Sequence, residues 1–401
     1  MPTPRIVSVE RMTLRDEEVR IAHQDRFGHA GELFRAPARV NLIGEHTDYT
    51  GGLVMPMAID FQTVVAISRR DDERLVFYSH NYGEQTVVEL SSLNSGRRGH
   101  WSDYPAGVAW SLRKEGVRFK GFNMTLAGDV PLGAGLSSSA SVEVAVAMAI
   151  LHLSGSTLTL EKLATLCRRA ENEFVGAKSG IMDQFVVAGA VAHRAMMLDT
   201  RSLKFELLPL PNDVRVVIAN SMVKHAVATG EYGNRRDEVE DGQAVLQKER
   251  GLALLRDATL ADLDACREKM TPESFARCRH IITENARVLD AREALLAGDM
   301  SRFGKLMAEG HVSFRDDFAA SCEEVDKLVE IAQHQPDCIG ARITGGGFGG
   351  CTVNVVKAAG AEAFVTAIKR GYAQATGIEA DCFICEPSNG ALALAEKGGV
   401  A

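Results

Sequence analysis

Apolar and polar positions fall into two kinds of run along this chain. Short stretches dense in β-branched and aromatic residues occur at 63–68 (T-V-V-A-I-S), 75–78, 214–219 and 352–356, and they predict strands. Elsewhere apolar residues return at helical spacing. Leu163, Leu166, Ala170 and Phe174 form one stripe of a helix expected over about 160–177. A run of small and apolar residues up to Ile150 predicts another helix, and Trp101, Asp103 and Tyr104 open one that runs through Leu112. Residues 1 to about 30 read as a mixed-charge helical lead-in, and residues 237–335 as mostly helical. The proline pair at 208–213 (L-P-L-P-N-D) marks a boundary, so two domains are expected, 1–205 and 206–401. No internal repeat or low-complexity segment interrupts this order.

Glycine-rich and polar loops carry the candidate chemistry. In L-A-G-D-V-P-L-G-A-G-L-S-S-S-A, Pro131, Gly133 and Gly135 make a tight loop, and Ser137, Ser138 and Ser139 stand where a helix N-cap is wanted. Free N–H groups at a helix start favour an anion, so the stretch reads as a phosphate cradle. It is neither a Walker A loop nor G-x-G-x-x-G. Spacing alone leaves an ordinary glycine loop open. A second loop holds Glu45, His46, Asp48 and Tyr49, donors and acceptors suited to a polyhydroxylated ligand, or else a solvated turn. No second His lies at metal-ligand spacing. The third stretch has five glycines in positions 345–350 and is expected to lie against a ligand or against the cradle. Asp183 is set among apolar residues, which suits either a helix cap or chemistry. Glu171, at the margin of the helical stripe, is a snorkelling surface group or a ligand to a cation. Residues 225–236 read as polar and loop-like, and 307–317, within the mostly helical stretch, as a polar knot. Trp101 is either core or a flank for a base.

Composition narrows the classes. With 401 residues, 46% hydrophobic and 24% charged, the chain suits an ordinary globular protein with a large core. A net charge of −8 argues against a general nucleic-acid or anionic-membrane binder. No apolar run nears bilayer length and the first residues lack an apolar h-region, so no membrane span or secretory leader is expected. Eight scattered cysteines suit reduced thiols and a cytoplasmic location. The lone C-x-x-C, Cys382 and Cys385, falls in a strand-like run that would point the two thiols to opposite faces, so no metal or redox role is expected.

Together these motifs resemble the GHMP small-molecule kinases, in their galactokinase branch. Residues 131–140 (P-L-G-A-G-L-S-S-S-A) resemble the family's ATP motif, 39–49 (R-V-N-L-I-G-E-H-T-D-Y) the galactokinase signature, and 344–351 (T-G-G-G-F-G-G-C) the third motif. The stretches 180–185 and 230–236 match as well, as do His311, Ser313, Arg315 and Asp316. One departure is Ala38, where the family has Gly; it matters only if φ must be positive there.

The resemblance implies an α+β, two-domain fold with a ribosomal-protein-S5-like N-terminal domain, a ferredoxin-like C-terminal domain and the active site in the cleft between them. It implies phosphoryl transfer from ATP to the anomeric hydroxyl of galactose. Asp183 would be the general base and Arg39 its partner; Arg39, Glu45, His46, Asp48, Gly180, Asp183 and Tyr232 would hold the sugar. Pro131, Gly133, Ala134, Gly135, Leu136, Ser137, Ser138, Ser139 and Ala140 would surround the nucleotide, with Trp101 and Tyr104 as adenine-side candidates. Ser139 and Glu171 would bind Mg2+. A monomer is expected. A kinase for a related sugar, or a galactose and ATP sensor without transfer, remains open at this point.

Overall fold

The computed structural model describes residues 10–131, 135–224 and 228–392. The first half runs α1 (Glu10–Phe27), β1 (Glu32–Asn41), β2 (Leu53–Val54), β3 (Pro56–Arg69), β4 (Arg74–Ser79), β5 (Glu84–Glu89), α2 (Asp103–Lys114), β6 (Phe122–Gly128), α3 (Ser138–Ser154), α4 (Leu160–Arg169), α5 (Met182–Gly189), β7 (Arg194–Asp199) and β8 (Phe205–Pro209). It continues as β9 (Val214–Lys224), α6 (Ala228–Arg250), α7 (Leu260–Ala265), α8 (Pro272–Leu296), α9 (Met300–Asp316), α10 (Glu323–Gln333), β10 (Cys338–Thr344), β11 (Gly349–Lys357), α11 (Ala361–Thr376) and β12 (Asp381–Cys385). Helices packed on largely antiparallel sheets make this an α+β protein.

A five-stranded sheet in the order β1-β3-β6-β4-β5 carries the first half, antiparallel except where β4 meets β6. Strand β3 shows why its run is apolar on every residue. Val65 and Ile67 enter a core shared with α2, α3, α4 and α5, whereas Val64 and Ala66 meet Val19 of α1 on the opposite face. Helix α3 is buried on most of its surface, and its many alanines let it lie close to β1 and β3.

A four-stranded antiparallel sheet, β10-β11-β9-β12, carries the second half. One face packs on α10 and α11 through Val217, Ala341, Val356, Leu328 and Ile368. The other face presents Val216, Ile218 and Val353 to Val40, Met57 and Ile59 of β1 and β3 and to Val288 of α8. That core therefore belongs to both halves. Cys382 and Cys385 do point apart, into these two different cores. A small antiparallel sheet, β2-β7-β8, lies beside them. Past β12 the chain returns to the first half. Glu386 N donates to Asp60 at 3.0 Å, Pro387 bridges to Ile59, and Ser388 N donates to Ala58 O at 2.9 Å.

Two local readings need correction, and a third is sharpened. The helix expected over 160–177 stops at Arg169 and passes into a π-helical turn, Ala170–Val175, closed by Gly176 at φ 86°. The knot at 225–236 is helical from Ala228, its charges satisfied by the helix itself: Arg235 pairs with Glu238 and Arg236 with Glu240. The knot at 307–317 is the end of α9. It is polar because His311 and Ser313 are buried against partners, not because the chain loops there. Among the described residues no helix is long and apolar enough to cross a membrane.

Candidate functional site

Glu45, His46 and Asp48 follow just past the end of β1. Glu45 is buried; its carboxylate accepts from Asn41 Nδ2 and from Gly345 N, the latter at 3.2 Å. Burial, only partly offset by Arg342, Asn41 and Arg39, raises its pKa to about 7. Asp48 is pushed up to about 6 by burial and by Asp183. His46 sits at φ 60°, in the left-handed region, with its ring 4.2 Å from that of Phe318 and Nδ1 3.1 Å from the Tyr49 hydroxyl. Burial, then the neighbouring His280, lowers its pKa to about 3, so the ring is neutral. With Arg39, Gly180 and Asp183 these three side chains line one cavity of about 160 Å³.

Asp183 lies in the first turn of α5, and Arg39 Nε and Nη2 each donate to its carboxylate at 2.7 Å. Such a two-pronged pair fixes orientation as well as charge. Burial disfavours the guanidinium charge, but Asp183, Glu45 and Asp48 together outweigh it and raise the Arg39 pKa. Arg39 Nη1 also donates to Gly135 O of the cradle at 2.6 Å. Ser137 was expected as a capping residue. It does occupy the N-cap of α3, at φ 56°, but its hydroxyl makes no cap bond and donates to Asp183 instead.

The third glycine stretch lies against the cradle. A Cβ on Gly345 would stand 3.3 Å from Gly135 Cα, and Thr344 Oγ1 pairs with the backbone of Asn41 at 3.2 Å in both directions. A second cavity, of about 260 Å³, is lined by Trp101, Tyr104, Ser138, Ser139, Tyr82 and Asn81. Trp101 Nε1 donates to Glu84 at 3.0 Å, and the Tyr82 and Trp101 rings stand 6.3 Å apart. Behind it, Gln184 Nε2 donates to Glu171 Oε2 at 2.8 Å and to Glu143 Oε2 at 3.0 Å. Burial, then the charge of Glu171, holds Glu143 well above the carboxylate range, so one of these two carboxyls is neutral. Burial and then Glu171 also raise the pKa of Tyr104, a wall residue of the cavity.

Among the described residues no group of three His, Cys, Asp or Glu is placed to hold a metal unaided. Ser139 lines the second cavity; Glu171 lines neither, and its Oε2 accepts from Ser179 Oγ and Gln184 Nε2, but a hydroxyl and a carboxylate are the hard oxygen donors that suit a Mg2+ ion bringing water and phosphate ligands of its own.

The sequence-derived residues divide accordingly. Arg39, Glu45, His46, Asp48, Gly180 and Asp183 meet at one cavity, and Trp101, Tyr104, Ser138 and Ser139 at the other. Leu136 and Ala140 are core side chains, so only their backbone is open to a nucleotide; Pro131 is half-buried beside them. Gly133 and Ala134 lie outside the described residues, as does the side chain of Tyr232. Ala38 stands in extended β1 at a bulge, outside the left-handed region, so the departure from Gly costs little. Sequence reasoning missed Asn41, Glu143 and Gln184 at the site, and Glu284 and Arg342 behind it. Only a charged residue inside an apolar run, as at Arg342 and Glu143, hinted at them.

Residues 21–69 match the galactokinase galactose-binding signature, 80–190 the GHMP kinases N terminal domain and 291–374 the GHMP kinases C terminal domain. A galactokinase of Chloroflexus aurantiacus is 41% identical over 92% of this chain and 95% of its own length. The chain belongs to the galactokinase family. A galactokinase of Streptomyces coelicolor is 43% identical, covering 92% of this chain and 98% of that one. The Lactococcus lactis galactokinase, solved with galactose, superposes with a TM-score of 0.90 at 31% identity over 94% of this chain and 99% of its own. A mevalonate kinase structure, 18% identical with a TM-score of 0.63, shares the GHMP kinase fold.

Proposed function

We infer that the protein transfers the γ-phosphoryl group of ATP to the C1 hydroxyl of galactose, giving galactose 1-phosphate and ADP. One observation carries the reading. Arg39 grips Asp183 at the sugar cavity and holds Gly135 of the cradle with its remaining nitrogen, so the groups expected to touch the acceptor hydroxyl and the phosphates share one guanidinium.

Phosphoryl transfer is mostly positioning and charge stabilisation through a loose transition state. Asp183, held on both oxygens by Arg39, is aimed as the base, and little proton removal is needed before the phosphorus–oxygen bond breaks. Arg39 offsets the charge that develops on the transferring group. Glu45 and Asp48 accept from sugar hydroxyls, and Gly180 leaves room for Asp48. Ser138 and Ser139 face the phosphates, with Trp101 and Tyr104 toward the base. Ser139 and Glu171 would hold Mg2+, which when bound neutralises phosphate charge. The same reading takes the cleft between halves 1–205 and 206–401 as the active site, and the protein as monomeric and cytoplasmic. A kinase for a related sugar is the second reading. A sensor without transfer is disfavoured by the intact set Arg39, Ser137–Ser139 and Asp183.

The test is ADP release with Mg-ATP over galactose, glucose, N-acetylgalactosamine, arabinose and 2-deoxygalactose. Galactose should give the fastest turnover, and Asp183→Asn should lose about 10²- to 10⁴-fold in kcat while still binding galactose by calorimetry. Fastest release with another sugar moves the specificity. Galactose binding without release from the wild-type protein replaces the kinase with a sensor.

A further inference from the structure

The loop that carries Glu45 is held from behind by a helix more than two hundred residues away in sequence. On α8, His280 Nε2 stands 3.2 Å from Glu45 O. Glu284 Oε1 accepts from Gly44 N at 2.9 Å and Glu45 N at 3.4 Å. Asn285 Oδ1 accepts from Leu53 N at 2.8 Å. Positions 280 and 284 lie one above the other on α8, with 285 about a quarter turn round from 284, and all three side chains are buried. Both ends of the loop, and the peptide on either side of Glu45, are thus tied to one rigid element.

The same carboxylate reaches the third motif. Arg342 Nη1 of β10 donates to Glu284 Oε1 at 2.7 Å, with both side chains fully buried, and Arg287 Nε donates to Glu284 Oε2 at 2.6 Å. Two residues past Arg342 the strand ends, and Gly345 N returns to the Glu45 side chain at 3.2 Å. A closed circuit results: α8 to the Glu45 backbone, the Glu45 carboxylate to Gly345, and β10 through Arg342 back to α8.

We propose that His280, Glu284 and Asn285 are positioning residues for the sugar. They fix the peptide of Glu45, and through it the carboxylate that receives the substrate hydroxyls. This rests on the sugar-kinase reading, because only a substrate held by Glu45 gives the grip a catalytic meaning. A buried ion pair alone would be ordinary stabilisation. What distinguishes this one is that its free valences go to the backbone of a substrate loop.

Glu284 itself is a poor probe, since its loss would strand Arg342 as a buried unpaired cation. His280→Ala and Asn285→Ala remove one loop contact each, and His280→Gln keeps a donor to Glu45 O. Two readouts apply. In steady-state kinetics His280→Ala should raise the galactose KM about fivefold, the effect of one lost hydrogen bond, with the ATP KM moving less than twofold and His280→Gln restoring most of the loss. In the free protein, amide exchange of the 42–54 segment should quicken in both alanine variants while that of β10 and β11 stays as in the wild type. Unchanged exchange in 42–54 overturns the proposal. So does a shift of both KM values together, or a drop in thermal midpoint with no KM change. If the wild-type protein turned over no sugar, the kinase reading would fail separately, and the exchange result would still decide whether α8 fixes the loop.

Discussion

Gly180 has no room for a side chain, because a Cβ there would stand 1.7 Å from Asp48 Oδ2. The constraint is space and not backbone freedom, since Gly180 is not among the left-handed glycines. Gly180→Ala must displace the Asp48 carboxylate from its place in the cavity it shares with Glu45 and Asp183. Overpacking of this kind costs about 1–3 kcal/mol, so the galactose KM should rise on the order of 10- to 100-fold. An unchanged KM would remove Asp48 as a sugar ligand. At the same scale, His46, Ser137 and Phe348, one from each separated motif, all adopt left-handed backbone without being glycine. Such residues cost of order 1–3 kcal/mol each and persist where the surroundings over-determine them. The identities of the motif residues were legible in the sequence. Their strain was not, because nothing in the letters H, S or F marks a positive φ.

At the scale of elements, Glu171 owes its place to the π-helical turn after α4, where Gly176 N and Ala177 N both donate to its carbonyl, at 3.0 and 3.1 Å. The apolar stripe announced the helix but not the wider turn, since Phe174 is buried in either geometry. Glu171→Gln should raise the Mg2+ concentration for half-maximal activity at least about tenfold; titrating Mg2+ at fixed ATP reads this directly, and an unmoved midpoint makes Glu171 structural. Strand runs such as 63–68 were legible because β3 is apolar on both faces. The polar stretch 225–236 was misread as loop-like although the chain is helical from Ala228, because ion-paired polar residues on a helix look like solvated ones until their partners are known. The grip of α8 was illegible for the same reason: His280, Glu284 and Asn285 gain meaning only beside residues 44–53.

For the whole molecule, acid stability reflects two opposed groups of buried side chains. His23, which meets Ser68 and Thr125 across the first sheet, is lowered to about 4 by burial; burial likewise takes His280 to about 4 and His46 to about 3. The unfolded chain takes up these protons near pH 6.5, so acid favours unfolding until the folded pKa values are reached. Burial raises Glu45 to about 7 and Asp48 and Asp60 to about 6, so there the folded chain holds the extra protons as pH falls. The two groups offset each other between pH 6.5 and 5. Below about pH 4.5 the unfolded carboxylates protonate too, while His23 and His280 take up protons in the folded chain near pH 4 and His46 near pH 3, so both contributions fade over the same window. The thermal midpoint, as far as these six groups set it, should therefore stay nearly flat from pH 6.5 to 5 and change only gently from there to pH 3. A steady decline starting at pH 6.5 would show that the three carboxyls are not held protonated.

The return of residues 386–390 to β3 and α5 also has a consequence in time. Synthesis runs at about 5–20 residues per second, so Pro387 is made roughly a quarter of a minute to a minute after Ile59, the residue it bridges. From the completion of β6 to the end of that interval the first sheet stands without its last backbone partner, and until β9 and β11 are made the core they share with it stays open on one side. The nascent first half is therefore a sticky, unfinished surface while the second half is being made, and the stretch 386–390 is the one that seals it.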